Sequence, residues 1–342
     1  MTTVSDSDLD EADPPRGPRR WRVTSVEVLC VVLLLAIVGQ SWLRTAFDLP
    51  ALRTGATVFV AVCVQALPFL VLGVLISGAI AAFVPARVLR KVLPKSESAA
   101  VGVAGVSGIA LAGCECASVP VARRLIGQGV APSAALTFLL AAPAVNPIVI
   151  VSTAVAFPGE PGMVLARFVG SLATAMVMGW LWIRFGKLEW IVERALRKLP
   201  DVHGKARWTT FAETARADLV DAGGFLVLGA LISAALNVVV PDSWFGALGD
   251  QIVLGILVMA VLAVVLSLCS EADAFVAASL SALPLLPRLV FLVVGPAIDA
   301  KLFALQAGTF GKTFALRFAP ATFVVAVCCG VLAGLVFLGG VR

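Results

Sequence analysis

The chain has 342 residues, of which 60% are hydrophobic and only 14% charged, with a mean hydropathy of +1.01. A soluble domain is nearer half apolar and about a quarter charged; there is too little polar surface here to cover a water-soluble body, so lipid is the natural solvent. The formal net charge of +5 comes from basic residues in short stretches between apolar runs, a pattern of cytoplasmic loops that excludes nucleic acid as a partner.

The apolar runs have the length of roughly 20 residues that an α-helix needs to cross a hydrocarbon core of about 30 Å. The alternating polarity of barrel strands is missing, so an all-α polytopic membrane protein is predicted. Residues 1–22 are polar and hold Pro14, Pro15 and Pro18, the composition of a disordered tail. Residues 23–53 carry an extra first helix at 25–43 and a loop. No small-residue cleavage site follows that helix, so it should remain in the membrane. Further helices are predicted at 56–84, 163–185, 217–240 and 318–340. Two zones, 99–157 and 251–310, are apolar but interrupted by polar residues, Gly and Pro. A basic, solvated and partly helical linker at 186–216 separates a first membrane repeat, 54–185, from a second, 217–342.

The halves resemble each other. Phe69 to Pro85 reads FLVLGVLISGAIAAFVP and Phe225 to Pro241 reads FLVLGALISAALNVVVP, identical at eleven of 17 positions. LAGCECAS from Leu111 pairs with LSLCSEAD from Leu266, which aligns Cys114 with Cys269; Pro143-Ala-Val-Asn146 pairs with Pro296-Ala-Ile-Asp299. Three blocks in one order, at offsets of 156, 155 and 153, indicate duplication rather than a chance likeness of Leu/Val-rich helices. Internal repeats of this kind are frequent in secondary transporters.

Charge sets the orientation. Arg16, Arg19, Arg20 and Arg22 put the N-terminus in the cytoplasm, and Arg87, Arg90, Lys91 and Lys95 mark the next cytoplasmic loop. The linker is also basic, so an even number of crossings must separate Lys95 from Lys187. Three apolar zones lie there, at 99–126, 130–157 and 163–185; one of the first two must enter and leave by the same face. Pro241 to Asp250 has two acids and no Lys or Arg, which suits the outside, and Lys312 and Arg317 then fall inside. The two FLVLG helices run in opposite directions on this reading. The expectation is two inverted repeats, with seven crossings and two re-entrant segments whose broken helices meet at the bilayer midplane.

Several polar residues fall at that depth, where a charge costs roughly 2.5–3.5 kcal/mol on insertion scales. They are Glu115 between Cys114 and Cys116, Glu271 and Asp273 after Cys269, Asp299 with Lys301, and Asn146, the counterpart of Asp299. Acids at an interface would avoid the cost; between apolar arms they would line a cavity and bind solute. Pro120, Pro143, Pro147, Pro284, Pro287 and Pro296 are expected to break the helices nearby, because proline removes a backbone donor and disrupts the preceding turn. Of the seven cysteines, only Cys114, Cys116 and Cys269 have polar company. Either they converge on a soft, thiophilic ligand or each is a small packing residue at a crowded break.

At these motifs the chain resembles the ArsP-like predicted permeases of bacterial inner membranes. The resemblance rests on GCECASVP at Gly113 to Pro120, APAVNP at Ala142 to Pro147, CSEADAF at Cys269 to Phe275 and GPAIDAK at Gly295 to Lys301. It implies a secondary permease in the bacterial inner membrane that exports trivalent organoarsenicals, with Cys114 and Cys116 as the thiol pair and Cys269, Glu271 and Asp273 in the second motif. Glu115 and Ala117 depart from the family pattern, where a small polar residue and Gly are expected. A proton carried by Glu271 or Asp273 could drive export, since desolvation raises the pKa of a buried carboxylate. The partners expected are the bilayer, a small-molecule or metalloid solute and protons, with a homo-oligomer left open and no cofactor or metal required. A membrane thiol-disulfide oxidoreductase using Cys114 and Cys116 is a rival reading, weakened by spacing and by the lone His203. A non-transporting partner subunit is another. No G-x-x-x-x-G-K-[ST] motif is present, which argues against ATP-driven pumping by this chain.

Overall fold

A computed structural model describes residues 50–83, 94, 96–110, 115–191, 206–239, 252–266, 269–280 and 283–339. The predicted tail and first helix, the basic residues Arg87 to Lys91 and Lys95, the middle of the linker, the acidic loop after Val239 and Cys114 lie outside the described residues.

Among the described residues the secondary structure is helical throughout. In chain order the helices are α1 (Pro50–Phe83), α2 (Glu97–Ser107), α3 (Glu115–Gly127), α4 (Pro132–Ala141), α5 (Pro147–Ala156), α6 (Pro161–Phe185), α7 (Arg207–Val239), α8 (Ile252–Leu266), α9 (Ser270–Ser279), α10 (Leu285–Ala297), α11 (Ala300–Thr309) and α12 (Lys312–Phe337). Their order in α1–α6 repeats in α7–α12: one long helix, four short ones, one long helix. Proline opens α4, α5 and α6, where its missing N–H costs nothing and its fixed φ suits the first turn.

Four stretches are long and apolar enough to cross a membrane: Leu52–Phe83, Pro161–Phe185, Leu285–Thr309 and Lys312–Phe337. The third contains a break, since α10 stops at Ala297 and α11 starts at Ala300. Leu289, Phe291 and Val293 are fully buried, so α10 is an interior helix. In the first run α2 packs on α4, α3 on α4, α4 on α6 and α5 on α6; the second run repeats these as α8–α10, α9–α10, α10–α12 and α11–α12. The runs join through the long pairs α1–α7 and α6–α12, and through the short pairs α3–α11 and α5–α9.

Three features differ from the sequence expectation. Both zones at 99–126 and 130–157 are divided, into α2 with α3 and α4 with α5, whereas one uninterrupted crossing was expected. A helix of ten residues rises about 15 Å, half of what a crossing needs. The helix expected from 217 starts at Arg207, because Trp208 and Phe211 stack on Phe83 with ring centroids 5.5 and 6.5 Å away. Pro120 lies inside α3 rather than at a break, whereas Pro296 is the penultimate residue of α10, just before the break at 298–299. Each helix accepts the lost backbone bond because neighbouring helices enclose it on several sides. Pro143, Pro147, Pro284 and Pro287 do flank helix ends.

The duplicated FLVLG segment explains how the long helices seat the short ones. A side chain on Gly73 would overlap the Ala117 backbone of α3, and a Cβ on Gly229 would lie 2.7 Å from Cα of Lys301 on α11. Only glycine allows either approach. Gly229→Leu is therefore expected to destabilise the folded protein by about 1–3 kcal/mol, the range for overpacking, and Gly224→Leu, with open space around it, much less. Thermal unfolding of both variants in detergent checks this.

Candidate functional site

The site lies where four short helices begin. Glu115 is the first residue of α3, and Cys269 caps α9 with Glu271 and Asp273 in its first turn. Asp299 caps α11 by accepting a 2.6 Å bond from the Leu302 N–H. Asn146 does the same for α5, accepting from Val149 N–H at 3.0 Å while its amide donates to the Ala142 carbonyl at 3.2 Å. The counterpart residues of the two motifs thus have one local role. An acid or amide at a helix N-terminus satisfies an orphan N–H and meets the positive end of the helix dipole.

Two charged lobes result. In the first, Lys301 Nζ donates to Glu115 Oε1 at 2.9 Å and stands 3.4 Å from Asp299 Oδ2, with all three residues buried. The other Glu115 oxygen has no partner. Cys116 follows on α3, buried and within the electrostatic reach of Lys301. In the second, Arg167 on α6 is only 2% exposed. Its Nη1 donates to Thr153 Oγ1 and its Nη2 to the Ser270 carbonyl, both at 2.6 Å. The Cys269 thiol donates to Glu271 Oε2, and Glu271 Oε1 is buried without a partner. Asp273 is also buried, near enough to both lobes to feel the charges of Arg167 and Lys301. It has room because Gly295 has no side chain; a Cβ there would stand 2.7 Å from Asp273 Oδ2.

Of the residues singled out from sequence, the structure brings Glu115, Asp299 and Lys301 into direct contact and Asp273 into their field. Cys269 and Glu271 contact each other in the second lobe, and Asn146 serves as a cap. Among the described residues no three His, Cys, Asp or Glu side chains converge as metal ligands.

Arg167 was missed, although a lone arginine in an apolar run carries the same signal as the acids. Its counterpart in the Leu-Arg-Phe pattern of α12, Arg317, is exposed and stacks over Trp190 at 4.3 Å. The duplication therefore did not point to it. A further polar knot was also missed, between α3, α1 and α7. Ser77 Oγ donates to Asp218 Oδ2 at 2.6 Å, and Arg123 Nη1 stands 3.5 Å from Asp218 Oδ1 and 3.6 Å from Asp221 Oδ2. Asp218 and Asp221 sit at the edge of what reads as the solvated linker, which hid them.

Apolar helices long enough to cross a bilayer, with charges buried among their short neighbours, define a multi-pass membrane protein of the permease class. Residues 51–335 match the ArsP-like family described as "Predicted permease", and the chain belongs to that family. It is 31% identical over 284 residues to a Streptococcus mutans protein named as a two-component membrane permease complex subunit, covering 81% of this chain and 94% of that one. It is 33% identical over 292 residues to the UPF0718 protein YcgR of Bacillus subtilis, covering 83% and 96%. No solved structure gives a significant match.

The ion pair has a testable energetic signature. Lys301→Met alone leaves Glu115 and Asp299 buried without their cation and is expected to cost about 3–5 kcal/mol, whereas Lys301→Met combined with Glu115→Gln should recover part of that loss. Equilibrium unfolding of the single and double variants measures the coupling.

Proposed function

We propose that this chain is a secondary permease of the bacterial inner membrane that exports a small thiophilic solute, a trivalent organoarsenical, in exchange for protons. The observation that carries the reading is the buried pair Lys301–Glu115, which joins segments 186 residues apart and whose glutamate is next in sequence to the buried Cys116. Charged groups that deep are costly unless they handle a charged or polar cargo. Inverted repeats with a cytoplasmic N-terminus would expose such a cluster to one side of the membrane at a time. Cys114 and Cys116 supply soft ligands, with Cys269 as the counterpart of Cys114.

Proton exchange is assigned to Glu271 and Asp273. Glu271 accepts the Cys269 hydrogen bond and keeps one buried oxygen free of partners, so a solute that takes the thiol alters the surroundings of the carboxylate directly. The departure at Glu115 from the family pattern has a structural role, since that carboxylate holds Lys301. The name of the Streptococcus mutans relative favours a partner subunit over a lone chain.

Everted membrane vesicles containing the chain should accumulate a trivalent methylarsenical when energised and lose it on addition of a protonophore. Cys116→Ser and Glu271→Gln should each reduce uptake to the level of empty vesicles while the protein still inserts. Full, protonophore-sensitive uptake by Glu271→Gln removes the proton role from that residue.

A further inference from the structure

The two helical runs share most of their packing, and the exceptions form a pattern. Helix α1 packs on α3, and α7 packs on α11; the matching pairs, α7 with α9 and α1 with α5, make no packed interface among the described residues. Among the described residues the long α1–α7 pair therefore leans on one lobe, α3 with α11, and not on the other, α5 with α9. That other lobe has an open apolar groove of ≈ 460 Å³, lined by Pro147, Ile148, Val151, Ser152, Val155 and Phe275.

The contacts of the covered lobe can be transferred to the other by the sequence offsets. Gly73 abuts Ala117, Ser77 Oγ lies 3.4 Å from the Pro120 carbonyl, Gly229 abuts Lys301, and the Phe225 ring lies against Gly308. Their counterparts are Gly229 on Ala272, Ser233 on Phe275, Gly73 on Ile148 and Phe69 on Val155. Three of the four target residues line this groove. The offsets come from sequence identity alone, so the location of the groove is an independent observation.

We infer that the α5–α9 groove is a docking surface for the α1–α7 pair in a second conformation, with Phe69 against Val155 and Gly73 at Ile148. The FLVLG segment is the same in both long helices, so either lobe meets the same small glycine and the same aromatic ring. The glycine contacts exchange like for like, whereas Val155 presents a side chain where Gly308 has none, so the second packing seats the ring less closely. The polar knot adds to this difference. Ser77, Asp218 and Arg123 hold α1, α7 and α3 together, whereas the counterparts of Asp218 and Arg123 are Val62 and Ala278. The knot favours the conformation seen here, and movement of the pair opens the charged cluster to the opposite side. The inference rests on the permease reading for its purpose, but not on the solute or the coupling ion.

Cross-linking in native membranes with a short thiol-reactive bifunctional reagent tests it, with single-cysteine variants as backgrounds for the native thiols and cross-linked peptides identified by mass spectrometry. Phe225→Cys with Gly308→Cys reports the packing seen here, and Phe69→Cys with Val155→Cys reports the second. Both should form, and Asp218→Asn should raise the second at the expense of the first. If the second pair stays uncross-linked in both backgrounds while the first forms, the groove holds lipid in every state and the inference is overturned. Nitroxide amino acids at Leu228 and Val151 provide a readout that spares the buried positions: two distance populations support the inference, and a single one overturns it. Both cross-links forming in a chain that moves no arsenical supports the movement and removes only the solute assignment.

Discussion

A lysine and a glutamate meet at 2.9 Å in a chain with almost no polar surface, both buried and each drawn from a different half. Taking two such charges out of water costs several kcal/mol per ion unless geometry and further hydrogen bonds repay it. Here the repayment comes from helix ends. Glu115 opens α3, Asp299 caps α11, and Glu271 and Asp273 lie in the first turn of α9. Four acids face two bases, Lys301 and Arg167; each helix N-terminus adds roughly half a positive charge, which offsets much of the surplus. The short helices must begin where they do for this balance to hold, so the broken segments follow from the charges as much as the charges from the breaks.

Glycine makes the balance reachable. Without side chains at Gly73 and Gly229, α3 and α11 can press against the long helices, which brings Glu115 and Lys301 together; without one at Gly295, α10 admits the Asp273 carboxylate. In each case a small residue in one helix sets the position of a charged residue in another. This is the economy of packing in lipid, where close backbone approach replaces a hydrophobic driving force.

The two lobes reach similar chemistry by different residues. One takes its cation from α11, as Lys301, while the counterpart position is Ile148; the other takes it from α6, as Arg167, while Arg317 turns out to stack on Trp190. The two halves share their order of helices but carry their charges at different positions. The same inequality appears in packing, where the polar knot around Asp218 has no charged counterpart.

Hydropathy alone was enough for the helical membrane class, and the matched blocks around Cys114, Asn146, Cys269 and Asp299 showed the likeness of the two halves, because both are properties of residue order. Asn146 and Asp299 were expected to line a cavity; that they cap α5 and α11 emerged only from the folded backbone, because a cap depends on where the helix starts. Pro120 was misread as a break, since whether a helix tolerates proline depends on what encloses it. Arg167 and the Asp218 knot escaped notice because their partners, Ser270 and Arg123, lie about a hundred residues away in sequence. Sequence by itself determined that charges would sit among apolar helices, since composition along the chain decides the solvent. Only tertiary structure decided which charge meets which, because buried ions are satisfied by whatever stands next to them in space.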